Sequence, residues 1–342
     1  MTSGRLRAAR RVRHGRAAGE VLGIRAVSTS RGEPEHGHEA LAPPRVVEVA
    51  DRVYAYVQPD GSWWINNAGF VTGERYVLSI DTCATAARTT AYVDAVRSVA
   101  GDAPRVLVNT HHHGDHTNGN CLLPYATIVG QERCRELMVA TGLLRPEGIW
   151  ERVEWGELTV APPFVTFEDR LNLYVDDLLV ELHHFETAAH TTNDVVAWIP
   201  ERKVLFSGDL VFNGGTPFVL MGSVRGSLAV LARLAEFDAE VIVPGHGEPC
   251  GVQAIDMVGE YLRFVQETAI AGRADGLDPL ESALRTELGP YAGLTDPERL
   301  VGNLHRAFAE LDGAMPGDPI DLVAALRDMV AYNGGRPLRC LA

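Results

Sequence analysis

The segment "RVLVNTHHHGDHTNGN", residues 105–120, decides how the chain is read. It starts as a continuous apolar run, the pattern of a strand covered on both faces. It then packs four histidines and an aspartate into residues 111–116. A buried strand thus delivers the chain directly into a polar cluster. His111 and His113 are two apart, so in an extended segment their side chains point the same way and His112 points away from them. Asp115 and His116 follow Gly114, where the chain must turn. One pair therefore suits one metal ion and the other pair a second ion nearby. Imidazole combined with carboxylate favours zinc, iron or manganese over calcium.

Two ions need more ligands than this segment carries. Three further candidates stand where a short strand meets a loop: His190 in "AAHTTND", Asp209 in "LFSGDLVF" and His246 in "VPGHGEP". Sites on α/β scaffolds are built at such junctions. The glycines beside His246 permit a sharp turn. His183 and His184, in "ELHHFE", face opposite sides of one strand and are read as non-ligands.

Outward from these positions the chain alternates strands and helices. "VVEVADRVYAYVQ" reads as strand, and "INNAGFVTG" with "RYVLSIDT" as a hairpin turning at residues 73–75. "TAARTTAYVDAVRSVAG" reads as a helix ending at Gly101, with Ala91, Val93, Val96 and Val99 on its apolar side. A second series of strands, "RLNLYV", "LLVELHHFE", "DVVAWIP" and "KVLFSGD", leads through the helix "SLAVLARLAEF" to "EVIVPGH". Two such halves predict two mixed sheets packed together with helices outside, a four-layer α/β sandwich. From residue 252 the strand signal stops and helical stripes take over, as at Val258, Tyr261, Leu262 and Val265. The last two helices are placed just after Asp296-Pro297 and Asp318-Pro319.

The expected organisation is a basic tail and linker over 1–44, a catalytic sandwich over 45–251 and a helical extension over 252–342. The first twenty residues are arginine-rich and almost free of acids, the composition of a disordered arm more than of a secretory signal. The net charge of −14 speaks against a nucleic-acid partner. No apolar run reaches the ~20 residues of a membrane span. The five dispersed cysteines read as reduced thiols, which fits a cytoplasmic protein.

In order and spacing, "THHHGDH", "AHTTND", "FSGDLVF" and "PGHG" resemble the metallo-β-lactamase superfamily over residues 45–251. The resemblance implies the αββα sandwich. It implies one ion held by His111, His113 and His190, a second held by Asp115, His116 and His246, and Asp209 bridging the two. It also implies that Asp81, ending "VLSID", supports the ligands from behind. The penicillin-hydrolysing zinc enzymes most often studied carry cysteine where this chain has Asp209, and many of them carry arginine where it has His116. The chain instead looks like the glyoxalase II, lactonase and thioesterase branch. The implied activity is hydrolysis of an ester, lactone or thioester by a bridging hydroxide between two Zn2+ ions, with iron or manganese as alternative metals. Asp115 is placed to carry a proton to the leaving group. The alternative is a mononuclear iron oxidoreductase, similar to persulfide dioxygenases, or a lyase or cyclase on the same scaffold.

The substrate expected is a small molecule. Trp63 and Trp64, in "PDGSWWINN", are candidates for an apolar lid over it; the alternative puts one in the core and the other on the surface. Phe218, in "FNGGTPFVLMGS", is a candidate wall residue. The C-terminal helices either cover this pocket or offer a homodimer face.

Overall fold

The computed structural model describes residues 41–342. The basic arm expected over most of residues 1–44 lies outside the described residues.

Residues 41–342 cluster as one unit. Its strands are β1 (Arg45–Ala50), β2 (Val53–Val57), β3 (Ala68–Thr72), β4 (Val77–Ile80), β5 (Val106–Val108), β6 (Thr127–Gln131), β7 (Val165–Phe167), β8 (Arg170–Val175), β9 (Leu178–His184), β10 (Val195–Ile199), β11 (Val204–Asn213) and β12 (Val241–Gly247). Its helices are α1 (Ala86–Ala100), α2 (Gly114–Thr117), α3 (Glu132–Thr141), α4 (Val224–Leu234), α5 (Gln253–Ala274), α6 (Pro279–Arg285), α7 (Arg299–Leu311) and α8 (Leu322–Tyr332). β1 to β7 form one sheet in chain order, and the second sheet runs β12-β11-β10-β9-β8.

Alternation along the strands produces the layers. Val53, Ala55 and Val57 of β2 join a core that also holds Val195, Ala197 and Ile199 of β10, so these side chains fill the space between the sheets. Tyr54 and Tyr56 belong to a separate cluster with Tyr92 and Val96 of α1. Val196 and Trp198 of β10 join the core built with α4, α5 and α7. The expected four-layer αββα sandwich with C-terminal helices is the fold observed.

Local details differ from the sequence reading. "VVEVADRVYAYVQ" is two antiparallel strands, because Arg52 turns the chain with a positive φ of 67°. On α1 the buried side includes Tyr92 rather than Val99, which is exposed. Asp209 sits inside β11, which continues to Asn213 past a shift in its pairing with β12. α7 begins at Arg299, and α8 is capped by Asp321 rather than Asp318. Asp318 instead accepts a hydrogen bond from the Met315 amide.

Candidate metal centre

β5 ends at Val108, and the next residues carry the cluster into the gap above the strand ends. Asn109 hands its amide to Val129 O, and Val195 hands its amide to Thr110 O. This fixes the histidine segment to both sheets. α2 then turns Asp115 and His116 back towards His111.

The structure brings all seven candidate ligands together. His111, His113, His190 and Asp209 form one group, and Asp115, His116, Asp209 and His246 form another; within each, the donor atoms lie within 4.8 Å of one another. Asp209 belongs to both. His116 Nε2 lies 3.1 Å from Asp209 Oδ1, and His190 Nε2 and His246 Nε2 each lie 3.4 Å from Asp209 Oδ2. His246 Nε2 lies 3.2 Å from Asp115 Oδ2.

The outer ring nitrogens are held by the protein. His116 Nδ1 meets Asp81 Oδ2 at 2.8 Å. His111 Nδ1 meets Thr110 Oγ1 at 3.1 Å, and that hydroxyl donates to Asp81 Oδ2 at 2.7 Å. His190 Nδ1 donates to Phe218 O and His246 Nδ1 to Gly61 O. His113 is reversed: its Nε2 faces Met221 Sδ and its Nδ1 lies 2.9 Å from His190 Nε2. Each imidazole is thus anchored on one side with its other nitrogen turned inward, as metal-ligating histidines are. His112 points out of the cluster to Asn193. His183 and His184 meet Glu181 and Asp194 O, away from it.

Electrostatics mark the centre as built for positive charge. Burial opposes a charged ring at His116, but Asp209, Asp115 and Asp81 outweigh it and raise its pKa. At His246 burial also opposes charge, yet Asp209 and Asp115 push the pKa up to about 9. At Asp209 burial favours the neutral acid, and His246, His116 and His190 overcome it, holding the carboxyl well below its usual range. Burial, with His116 and His190 respectively as close neighbours, keeps His111 and His113 neutral.

The donor set fits divalent ions. His111 Nε2, His116 Nε2 and Asp209 Oδ1 are buried without a hydrogen-bond partner. A buried unpaired polar group costs ~1–3 kcal/mol, and one cation in each four-residue group, with Asp209 common to both, would relieve all three.

The sequence reading missed Thr110, which joins His111 to Asp81, and the carbonyls of Gly61 and Phe218. Of the two glycines read as a turn beside His246, Gly247 has the positive φ of 91°, whereas Gly245 makes room for the site: a Cβ there would stand 1.9 Å from Asp209 Oδ1.

Beside the centre lies a cavity of about 510 Å³ lined by Trp63, Trp64, Phe218, Leu220 and Met221 together with Asp115 and His246. Both tryptophans are nearly buried, at 8% and 9% exposure. The alternative that puts one in the core and the other on the surface is not what the structure shows.

The Metallo-beta-lactamase superfamily model matches residues 61–246. The chain belongs to this superfamily. A hydroxyacylglutathione hydrolase of Rhodospirillum rubrum is 26% identical over 227 residues, covering 65% of this chain and 77% of the relative. One from Methylococcus capsulatus is 31% identical over 199 residues, covering 56% and 70%. A linear primary-alkylsulfatase of a Pseudomonas species is 24% identical over 296 residues, or 70% of this chain, which spans 55% of that relative's length. A metallo-beta-lactamase structure from Pontibacter korlensis superposes with a TM-score of 0.55 at 19% identity, covering 65% of this chain and 99% of that one. That likeness concerns the fold. The His/Asp cluster is thus the candidate site for divalent metal in this superfamily member, and two of these relatives are named as hydrolases. Among the described residues no helix is long and apolar enough to cross a membrane.

Proposed function

We propose that the chain is a dinuclear metal hydrolase that cleaves an ester, lactone or thioester. The observation that carries this reading is that Asp209 belongs to both four-residue groups. His111, His113 and His190 would hold one ion and Asp115, His116 and His246 the other, with Asp209 between them. Mixed imidazole and carboxylate donors suit zinc, with iron or manganese as alternatives. Bound there, two divalent ions supply a water acidic enough to ionise near neutral pH and polarise the carbonyl under attack.

The chain's own residues do the rest. Asp81 accepts from the Thr110 amide at 2.7 Å, from the Thr110 hydroxyl and from His116. It therefore fixes the orientation of two imidazoles at once. Asp115 faces the cavity, with its pKa lowered by His116 and His246 against the effect of burial. Its carboxylate would take the proton given up by the attacking water and pass it to a departing oxygen or sulfur. Trp63, Trp64 and Phe218 exclude water beside the reacting bond. The relatives named hydroxyacylglutathione hydrolase support an acyl substrate. Aspartate at 209 and histidine at 116 speak against lactam cleavage. A mononuclear iron centre would leave the second group, Asp115 to His246, without a purpose.

The test is a panel of thioesters, lactones and a chromogenic cephalosporin, run before and after chelation. Chelator-sensitive turnover of an acyl compound, restored by zinc, is expected. Turnover that survives complete metal removal contradicts the reading.

A further inference from the structure

The walls of the cavity narrow the substrate class, on the footing of the proposed reaction. The cavity reaches from His113, Asp209 and His246 to the C-terminal helices, which contribute Leu322, Val323 and Leu326 of α8. The same cavity has an aromatic wall. Trp63 lies 5.0 Å from Phe218 and 5.4 Å from Trp150, and Trp64 lies 5.3 Å from Trp150, all edge-to-face.

Charge is scarce along it. Among the described lining residues the cationic side chains are Arg145 and Arg299, with no lysine. Arg299 is buried and both of its terminal nitrogens are committed, with Nε enclosed and unpaired. It pairs with Asp296 at 2.8 Å, donates to Thr216 O at 3.0 Å and stacks 4.2 Å over Trp63. Arg145 is exposed and stacks on Trp155; a pairing there is screened by water and worth little. A substrate carrying carboxylates would enter a wall without a partner for them. The outer lining is also apolar but wet: Leu144 is 51% and Val323 57% exposed. Oily side chains left in water around a pocket that holds the reactive centre are explained by an oily ligand crossing them.

We infer that the substrate carries a long or bulky uncharged hydrocarbon arm, which runs from the His/Asp cluster along Trp63 and Trp150 to a rim that includes Leu144 and Val323. Leu144 and Val323 are then specificity-determining positions, and the C-terminal extension serves to lengthen the acyl or alkyl site. Fully burying a methylene is worth about fourfold in affinity; with an open mouth, two- to threefold per methylene is expected.

The experiment uses the full chain loaded with zinc, 4-nitrophenyl esters from acetyl to decanoyl, alkyl acetates from ethyl to decyl, and S-lactoylglutathione. Alongside, N-alkyl acetamides of the same lengths are titrated onto the metal-free chain and followed by tryptophan emission. The expected result is a kcat/KM that climbs two- to threefold per methylene in at least one ester series, with amide Kd tightening in step. Val323→Asp and Leu144→Asp, both exposed and checked for folding by circular dichroism, should cut the decyl-to-ethyl or decanoyl-to-acetyl ratio at least tenfold. S-lactoylglutathione should trail the best ester at least tenfold. Esters cleaved with no dependence on length, or a preference for the glutathione thioester, overturn the inference and leave the hydrolytic reading intact. Amides that bind tighter with length while no ester is cleaved uphold the inference and defeat the hydrolytic reading instead.

Discussion

Asp81 shows how one residue organises the centre. It sits at a positive φ of 60° just past β4 and collects two donors from Thr110 and one from His116. Thr110→Val keeps the shape of the side chain but cuts the link from Asp81 to His111. Loss of such support costs metal affinity 10- to 100-fold, so a chelator-competition titration should find a drop of roughly that size. Asp209→Ala removes the ligand common to both groups, and turnover should fall by on the order of a thousandfold or more, as when a group acting in the transition state is lost. The ligands themselves were legible because histidine and aspartate have few reasons to crowd at strand ends. Thr110 and the carbonyls of Gly61 and Phe218 were not, since hydroxyls and backbone carbonyls occur everywhere and carry no signal of residue type. Gly245 was legible only as part of a turn beside His246, because the close approach of Asp209 is what shows why no Cβ fits there.

At the scale of elements, α7 fastens the tryptophan wall. Glu298 accepts from Trp63 Nε1 at 2.7 Å, Arg299 stacks on both Trp63 and Phe212, and Phe212 stacks on His246 at 5.2 Å. Glu298→Ala strands a buried indole N–H, a loss of ~1–3 kcal/mol; a denaturant midpoint shift of that size, with KM raised more than kcat is lowered, is the expected outcome. Burial raises the carboxyl of Asp296 from 3.8 to about 6, in spite of Arg299 beside it. A raised acid pKa means that ionisation opposes folding: this stabilisation is full below the unfolded value and is lost as pH rises through about 6. Asp296→Asn cannot ionise. It should therefore gain on the wild type by on the order of 2 kcal/mol between pH 4 and pH 7, read as a converging or reversing difference in Tm. None of this clamp was legible beforehand. Asp296-Pro297 looks like a helix start, but the positive φ of Asp296 (54°) delays the helix to Arg299 and leaves the acid for Arg299. The helix type was legible where the apolar period was long, as in α5, where Val258, Tyr261, Leu262 and Val265 are all buried. The turn at Arg52 was not, because alternation continues across it.

For the whole molecule, the consequence is that the C-terminal helices and the second sheet share one core. Leu205 and Ile242 of the sheet cluster with Leu262, Val265, Leu300 and Leu304 of α5 and α7. A chain ending at residue 251 should lose that cover and be recovered aggregated or unfolded, by solubility and circular dichroism, even with zinc present. The four-layer sandwich was legible from the repetition of strands and helices in two halves. The closeness of its union with the helices was not, because an amphipathic stripe shows that a face is covered and leaves open by what.

The account turns on a pair of divalent ions sharing Asp209. Its most direct test is elemental analysis of the purified chain beside Asp209→Ala. Two zinc equivalents per wild-type chain, at most one in the variant, and acyl hydrolysis that follows the second equivalent are predicted. A single tightly held iron with oxygen uptake in the wild type, or two metals with full turnover in the variant, would contradict it.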